Sequence, residues 1–377
     1  MSGAPSLATG EGVRRPGALR VLLALALPLL SGHHHAVASS LDAFDQAAYT
    51  HPQRLIEIAP GRRLNLYCLG RGSPTVVLDA GLANFSLAWR FVQPAVARSV
   101  QVCSYDRAGE GFSDPGPLPR TSRAIVDDLH ALLRRAGIAG PVVLVGHSFG
   151  GLNALLYADT YPDAVAGLVL VDPTVPEQDA ALAQVLPNLH ELNRGGLRRL
   201  EACAAAANPA VGAATASDDA ACTLSEPGFG PELGRVLRMI AGRAATWRSR
   251  QSEAHELLTI DPGTVPDDIE ELTEARRPYG RLPMLVLAAT VAPDFLSKED
   301  GAAYLRVRSR LLKDVAGRSD RGVLRQIEGA GHAIPTDRPD AVTTAILDVV
   351  ESVRGGELRP NTWRNGPGRP PKPQSPG

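Results

Sequence analysis

The residues best placed to do chemistry in this 377-residue chain form the glycine-rich segment GHSFGG at residues 146–151. An apolar, β-branched run at 142–145 precedes it, and a segment of helical period at 152–161 follows it. Strand, sharp turn and helix in this order predict a nucleophile elbow, which holds a serine in a strained conformation above a sheet. Glycines on both sides of the turn would let the strand and the helix approach each other. We therefore predict that Ser148 is a nucleophile.

A general base must accompany Ser148, because a serine hydroxyl is a weak nucleophile until its proton is removed. Residues 329–332, with the sequence GAGH, form a flexible loop between the last predicted strand and the last predicted helix. That loop opens at the same edge of the sheet as the elbow, so we predict His332 as the base. The side chain of His147 should point elsewhere, because this residue adjoins Ser148. The remaining histidines after the N-terminal segment are His51, His130, His190 and His255, of which the last three lie in helical segments.

A carboxylate should orient the imidazole and stabilise its charged form, and two aspartates could do so. Asp172 stands at the carboxyl end of an apolar run, at the edge of the sheet where the elbow lies. Asp294 follows the next predicted strand by a few residues, and segment 290–293 could place it near His332. Asp172 is preferred because it needs no loop excursion, and Asp294 is the alternative acid. An aspartate before Pro173 could also serve only to cap a turn.

Acyl transfer also needs hydrogen-bond donors for the oxyanion of the tetrahedral intermediate. One should be the backbone N–H of Phe149, which follows the nucleophile directly. The second should come from the loop after the predicted strand 75–79, where Gly81 lets the backbone turn sharply. We predict the N–H of Leu82 for this role.

Together these residues resemble the α/β-hydrolase superfamily, from about residue 55 to residue 353 without one insert. Ser148 and His332 match the family's nucleophile and histidine loop residue by residue. The resemblance implies a three-layer α/β-hydrolase fold with a mostly parallel eight-stranded sheet. A serine at the elbow argues against the epoxide hydrolases and haloalkane dehalogenases of this fold, which use an aspartate there.

The segment DRAGEGFSD that begins at Asp106 is similar to the family's loop after the fourth strand. We expect Asp106 and Arg107 to brace loops beneath the site and not to take part in the chemistry. This chain departs from many members at the oxyanion loop, where it has Ala80 and Gly81 and they have His-Gly. It also lacks their aspartate directly after the seventh strand, although some members take the acid from the place of Asp172.

The elements that must position these residues alternate short apolar runs with longer segments of helical period, which is typical of βαβ units and a mostly parallel sheet. The first two strands, joined through Pro60 and Gly61, should form a hairpin at the sheet edge. The predicted strands are 54–58, 63–69, 75–79, 100–105, 142–146, 165–171, 282–289 and 322–327. The predicted helices are 123–136, 150–161, 302–315 and 339–354.

Residues 173–280 break this alternation, because they show helical periods without a convincing strand. They separate two parts of the predicted core, 39–172 and 281–354. An insert after the sixth strand would lie above the carboxyl ends of the strands, where ligands bind. We interpret it as a lid that shapes the substrate pocket and excludes water, and a helical spacer is the alternative. The helical periods run through 180–207, 231–258 and 267–275.

The first 38 residues have the three parts of an export signal: arginines, an apolar run at 21–30, and AVA at 36–38. Cleavage after Ala38 would release the protein into the periplasm or the medium, and an uncleaved segment would anchor it. The apolar run is shorter than the roughly 20 residues that a membrane-spanning helix needs, so no stable span is expected after cleavage. The histidines at 33–35 should leave with the signal and not bind a metal.

Export would let disulfides persist, so the four cysteines are candidates for bridges. Cys203 and Cys222 flank a loop rich in Ala, Asn and Asp, and a bridge between them is favoured. Cys68 and Cys103 lie in two predicted strands that could be neighbours. For this second pair, a disulfide and two buried thiols fit equally well.

The composition limits the partners. The formal net charge of −1 gives no electrostatic reason to bind nucleic acid or an anionic membrane as the main partner. A small-molecule acyl substrate fits better. No metal-ligand cluster, phosphate loop or dinucleotide fingerprint is present, so we expect no cofactor. The Pro- and Gly-rich end, 355–377, is predicted to be disordered, and the oligomeric state is not predicted.

Hydrolysis of an ester through an acyl-enzyme on Ser148 is the expected reaction, as in a carboxylesterase. The same three residues could serve a proline iminopeptidase, a lactonase, a C–C hydrolase or an acyltransferase. A non-catalytic member of the fold that only binds a ligand is the alternative from another class, since fold alone does not fix function.

Overall fold

The computed structural model describes residues 44–207, 222, 224 and 228–358. The predicted export signal and most of the predicted tail lie outside these residues. A single sheet of eight strands organises the chain, in the order β1-β2-β4-β3-β5-β6-β7-β8. The strands are β1 Leu55–Ala59, β2 Arg62–Leu69, β3 Val76–Asp79, β4 Val102–Tyr105, β5 Val142–His147, β6 Val165–Val171, β7 Met284–Ala289 and β8 Gly322–Ile327.

The predicted strands are all present, with bounds that differ by at most two residues. β1 and β2 form an antiparallel hairpin at one edge, and β2 also pairs antiparallel with β4. Every other pairing is parallel. The central strands are continuously apolar because both faces of the sheet are covered, and this confirms the predicted fold class.

The helices form two outer layers. Val342 and Ile346 belong to an apolar cluster with Val143 and Val169, whereas Leu129 and Leu155 belong to another cluster with Leu144. Alternate strand residues therefore face opposite layers, as the two-residue period of a strand requires. The first layer holds α1 Gln93–Val96 and α11 Pro339–Val353, and the second holds α2 Ser122–Arg135, α3 Phe149–Thr160 and α9 Lys298–Ala316.

Among the described residues between β6 and β7, where the sequence predicts a helical insert, five helices are present. α5 packs on α7, while α8 contacts both α2 and α3 of the core. Their arrangement as a lid over the site stays a prediction. They are α4 Gln178–Ala183, α5 Leu189–Ala206, α6 Pro231–Ala241, α7 Ala244–Leu257 and α8 Asp267–Ala275. A last short helix, α10 Ile334–Asp337, precedes α11.

Two disulfides join the cysteines. Cys68 and Cys103 are register partners on β2 and β4 and are bonded to each other. Cys203 at the end of α5 is bonded to Cys222, across a segment that is largely outside the described residues. Of the helices within the described residues, none is both long and apolar enough to cross a membrane.

The topology brings the ends of three neighbouring strands together. β3, β5 and β6 are adjacent and parallel, and Asp79 at the end of β3 pairs in register with Gly146 of β5. Their carboxyl ends therefore meet at one edge, where the loops that follow them hold Leu82, Ser148 and Asp172. The loop after β8 reaches the same edge and carries His332.

Candidate active site

Ser148 occupies a sharp turn between β5 and α3 with a positive φ of 53°. A side chain at Gly146 would place its Cβ 2.1 Å from the Gly150 oxygen, so the closeness of strand and helix requires glycine. The Ser148 N–H donates to the Val171 oxygen at 3.1 Å, and its carbonyl accepts from Thr174 N at 2.9 Å. The neighbours of the turn thus hold Ser148 in a strained conformation with a positive φ.

His332 lies between a hydroxyl and a carboxylate. Its Nε2 is 2.9 Å from Ser148 Oγ, and its Nδ1 is 2.6 Å from Asp172 Oδ2. Because a carboxylate can only accept a hydrogen bond, Nδ1 carries the proton and donates to Asp172. Nε2 is then free of a proton and can accept from the Ser148 hydroxyl. Ser148 and Asp172 are buried, whereas the His332 side chain is 25% exposed.

The structure places the two candidate acids differently. Asp172 follows β6 with a positive φ of 41°, and it provides the oxygen that His332 contacts. Asp294 is exposed, in the loop between β7 and α9. The hydrogen bond of His332 Nδ1 goes to Asp172, so the geometry favours the preferred of the two predicted acids.

Arg308 on α9 contacts the other oxygen of the same carboxylate. Its Nη2 lies 3.2 Å from Asp172 Oδ1 and donates to the Pro173 carbonyl at 2.8 Å, while Nη1 donates to Gln178. Burial raises the pKa of Asp172, but Arg308 and His332 outweigh it and hold that pKa well below its usual range. The acid is therefore ionised at neutral pH.

His147 does point away from the serine that follows it, and it meets the His332 loop. Its Nε2 donates to the His332 carbonyl at 2.9 Å, and the two rings are 5.0 Å apart. Burial, together with the neighbouring His332, lowers the pKa of His147 to about 4. A neutral His147 thus fixes the backbone of His332.

The two predicted oxyanion donors lie beside Ser148. Phe149 is the first residue of α3, where a backbone N–H has no intrahelical partner. The ideal Cβ of Gly81 would lie 3.3 Å from Ser148 Cβ, so the loop that carries Leu82 touches the nucleophile. The hydrogen bond that closes this loop is donated by Asn84 to Gly81 and does not use the Leu82 N–H.

Asp106 and Arg107 brace loops, as their resemblance to the family's motif led us to expect. Asp106 accepts from the N–H groups of Ser86 and Phe112 and from the Asn65 amide, all within 3.0 Å. Arg107 ties the loop after β3 to α7 of the insert. Both side chains are buried.

The arrangement can transfer a proton from a hydroxyl to an imidazole while a carboxylate stabilises the charge that forms. Within the described ranges, no group of three or more His, Cys, Asp or Glu side chains could hold a metal ion. The contacts of Ser148, His332 and Asp172 suit a serine nucleophile.

Sequence reasoning missed Arg308 and the α7 residue Glu253, which holds Arg107. Both had a signal. Arg308 lies three, four and seven residues before the buried side chains of α9, and Glu253 lies on the buried stripe of α7. A charge on the apolar face of a helix needs a buried partner, and such positions can be recognised in a sequence.

Comparison with known proteins places the chain in a family. The family described as "Alpha/beta hydrolase family" matches residues 76–345, which is more than half of the chain. "Lipase LipV" of Mycobacterium tuberculosis is 44% identical over 87 residues, which cover 23% of this chain and 33% of that protein. "Putative carbamate hydrolase RutD" of Klebsiella pneumoniae is 39% identical over 103 residues, or 27% of this chain and 38% of that protein. The chain spans half or less of the length of the curated relatives it matches.

A solved structure of a thermophilic esterase from Thermogutta terrifontis is similar with a TM-score of 0.51 and 22% identity. The alignment covers 80% of this chain and 99% of the esterase chain. At this identity the likeness supports the fold alone.

Proposed function

This chain belongs to the alpha/beta hydrolase family, and from that premise we propose that it is an exported serine hydrolase that cleaves a small-molecule ester. The observation that carries the proposal is the continuous contact from Ser148 Oγ through His332 to Asp172, at 2.9 and 2.6 Å. In this arrangement Nδ1 donates to the carboxylate and Nε2 faces the hydroxyl whose proton must be removed.

The reaction begins when Ser148 Oγ attacks the ester carbonyl and His332 Nε2 takes the hydroxyl proton. Asp172 stabilises the imidazolium through the Nδ1–H hydrogen bond. The N–H groups of Leu82 and Phe149 receive the negative oxygen of the tetrahedral intermediate. His332 then returns the proton to the leaving alcohol, which leaves an acyl-enzyme. In the second half, water attacks the acyl carbonyl and His332 takes the proton of the water. His332 finally returns this proton to Ser148 Oγ as the acid product leaves.

The acyl-enzyme proposal is tested by labelling the folded protein with a fluorophosphonate probe and locating the adduct by mass spectrometry. We expect an adduct on Ser148 and turnover of p-nitrophenyl acetate that Ser148→Ala abolishes. Ser297→Ala, at the exposed cap of α9, is the control and should keep full activity. Folded protein that forms no Ser148 adduct would show that the chain is a non-catalytic member of the fold.

The ester specificity needs its own test, since amides, lactones and C–C bonds are open to the same mechanism. We expect p-nitrophenyl esters of short acids to be hydrolysed much faster than a prolyl arylamide. A higher kcat/KM for the arylamide would replace the esterase proposal with a proline iminopeptidase activity.

Export is proposed on two grounds, the signal-like residues 1–38 and the pairing of four cysteines in two disulfides. Disulfides of this kind persist in an oxidising compartment. N-terminal sequencing of protein recovered from the periplasm or the medium should begin at Ser39. If the chain is recovered only in the membrane fraction and still contains residues 1–38, an uncleaved anchor would be favoured instead.

A further inference from the structure

Arg107 uses all of its hydrogen-bonding capacity at the centre of the site. A guanidinium has five N–H donors, and here each has an acceptor between 2.7 and 3.0 Å away. Nη1 donates to Asp79 Oδ1 and to the Ala80 carbonyl. Nη2 donates to the Gly81 carbonyl and to Glu253 Oε2, and Nε donates to Glu253 Oε1. The side chain is 1% exposed.

The contact with the Gly81 carbonyl bears directly on the proposed oxyanion hole. The peptide unit that contains this carbonyl also contains the N–H of Leu82. That unit is trans and planar, so its C=O and N–H point in opposite directions. An acceptor held by Arg107 on one side therefore sets the direction in which the Leu82 N–H points on the other. A charged donor on the carbonyl also polarises the N–H and strengthens the bond that it can donate.

The same guanidinium lies over the side-chain ring of Phe149, the residue whose backbone supplies the second proposed donor. Its central carbon lies 5.3 Å from the centre of the Phe149 ring, and the backbone of Phe149 supplies the other N–H. Gly150 packs against the Asp79 and Ala80 carbonyls so closely that a Cβ there would lie within 2.6 Å of both oxygens. Arg107 is thus in contact with both walls of the hole.

The position of Arg107 is set in turn by the insert. Glu253 on α7 is fully buried and forms a two-point ion pair with it. A second ion pair joins Arg250 of α7 to Glu110 of the loop after β4, so here the helix carries the cation and the loop the anion. On each of the two elements, the residues of the two pairs are three positions apart. The second pair also fastens α7 to the loop after β4, but its contacts do not include the loop that carries Leu82.

We propose that Arg107 is a positioning residue for both donors of the oxyanion hole, and that Glu253 makes their placement depend on how α7 is seated on the core. This inference rests on the proposed function. Any displacement of α7 would move the donors relative to Ser148, so the insert contributes to transition-state stabilisation.

The test compares Glu253→Gln with Glu110→Gln, which removes one carboxylate from the matched pair. For Glu253→Gln we expect kcat for p-nitrophenyl acetate to fall about 10- to 100-fold, with KM within about 2-fold, because a donor misplaced by a fraction of an ångström acts mainly on the transition state. Glu110→Gln should keep kcat within about 3-fold. Amide hydrogen exchange in the segment around Leu82 should accelerate in the first variant only.

Equal losses of kcat in the two variants, with unchanged exchange around Leu82, would overturn the inference and leave both pairs as fasteners of α7. If Glu253→Gln does not fold, Arg107→Lys replaces it, since lysine keeps the charge but cannot serve five acceptors. Unchanged kcat in Arg107→Lys would equally refute the proposal. Failure of the proposed function looks different, because the wild-type protein would then show neither ester turnover nor a Ser148 adduct.

Discussion

Arg308 and His332 contact the two oxygens of one carboxylate, that of Asp172, at 3.2 Å and 2.6 Å respectively. The Asp172 carboxylate therefore contacts both the His332 imidazole and the permanently charged Arg308 guanidinium. The charge of the guanidinium favours the ionised form of Asp172 and so helps to hold its pKa below the usual range. Arg308 also donates to the Pro173 carbonyl and to Gln178. These bonds fix the guanidinium, which in turn holds the carboxylate in place.

Replacing Arg308 by glutamine should lower kcat for an ester about 10-fold, with KM within about 2-fold. Without the guanidinium, Asp172 Oδ1 loses a charged donor, so the carboxylate that orients His332 is held less firmly. The measurement is the steady-state kinetics of p-nitrophenyl acetate hydrolysis.

Arg318→Gln is the matched control. Arg318 is another arginine with a largely inaccessible side chain, 8% exposed. It follows α9 and pairs with Asp159 at 2.7 Å, away from the site. Arg318→Gln should lower stability and keep kcat within about 3-fold. Equal losses of kcat in the two variants, or an unchanged kcat in Arg308→Gln, would contradict the proposed role of Arg308 in holding the carboxylate.

The fold and three members of the site follow from local sequence patterns. The apolar runs, the GHSFGG turn and the GAGH loop each encode their own structure, and parallel topology then brings Ser148, His332 and Asp172 to one edge. These residues could be predicted because strand ends in such a sheet have a fixed edge. Choosing Asp172 over Asp294 depended on loop geometry, which short patterns specify poorly.

The supporting residues could not be placed in the same way. Glu253 and Arg308 act through partners 146 and 136 positions away, and no local period encodes such a pairing. The resemblance predicted a bracing role for Arg107 but not its connection to α7. What remained hidden was the packing of the insert, which is decided by tertiary contacts and not by helix propensity.

Asp172→Asn should abolish most of the activity, whereas Asp294→Asn should not. An asparagine amide can donate to His332 Nδ1 and so favour the wrong tautomer, which in serine hydrolases costs about 10⁴-fold in kcat. Asp294 is exposed, and its variant should keep kcat within about 3-fold. Steady-state kinetics on the two folded variants checks this, and a large loss in Asp294→Asn alone would reassign the acid.

Gly146→Ala should destabilise the protein, whereas Gly234→Ala should not. A methyl group at Gly146 would lie 2.1 Å from the Gly150 oxygen, and relieving such an overlap costs about 3 kcal/mol. Gly234 lies within α6, where a Cβ meets only the end of the Arg238 side chain at 3.4 Å. Alanine there should raise the free energy of unfolding by up to about 1 kcal/mol, because glycine is a poor helix former. The free energy of unfolding of both variants is measured with urea. A Gly146→Ala protein as stable as Gly234→Ala would refute the proposed need for glycine at the elbow.

The Cys203–Cys222 disulfide should stabilise the protein against unfolding, and its reduction should lower stability. The bridge closes a loop of 19 residues in sequence separation, for which chain-entropy arguments give about 3 kcal/mol. Cys203→Ser with Cys222→Ser should therefore unfold at a lower urea concentration than the wild type. The added reductant should then destabilise the double variant less than the wild type. An unchanged midpoint in the double variant would mean that the bridge does not constrain the unfolded chain.

His147 should make the protein less stable as the pH falls from about 6.5 to about 4. Its pKa in the folded protein is about 4, below the usual histidine value of about 6.5. Between these values the unfolded chain binds a proton that the folded protein does not, so acidification favours unfolding. The contribution lost by pH 5 is about 2 kcal/mol.

His147→Gln can still donate to the His332 carbonyl but does not titrate, so its unfolding free energy should fall less between pH 7 and pH 5. His255→Gln, at an exposed histidine of α7, should behave as the wild type, and a pH dependence that is the same in all three proteins would exclude His147 as its source.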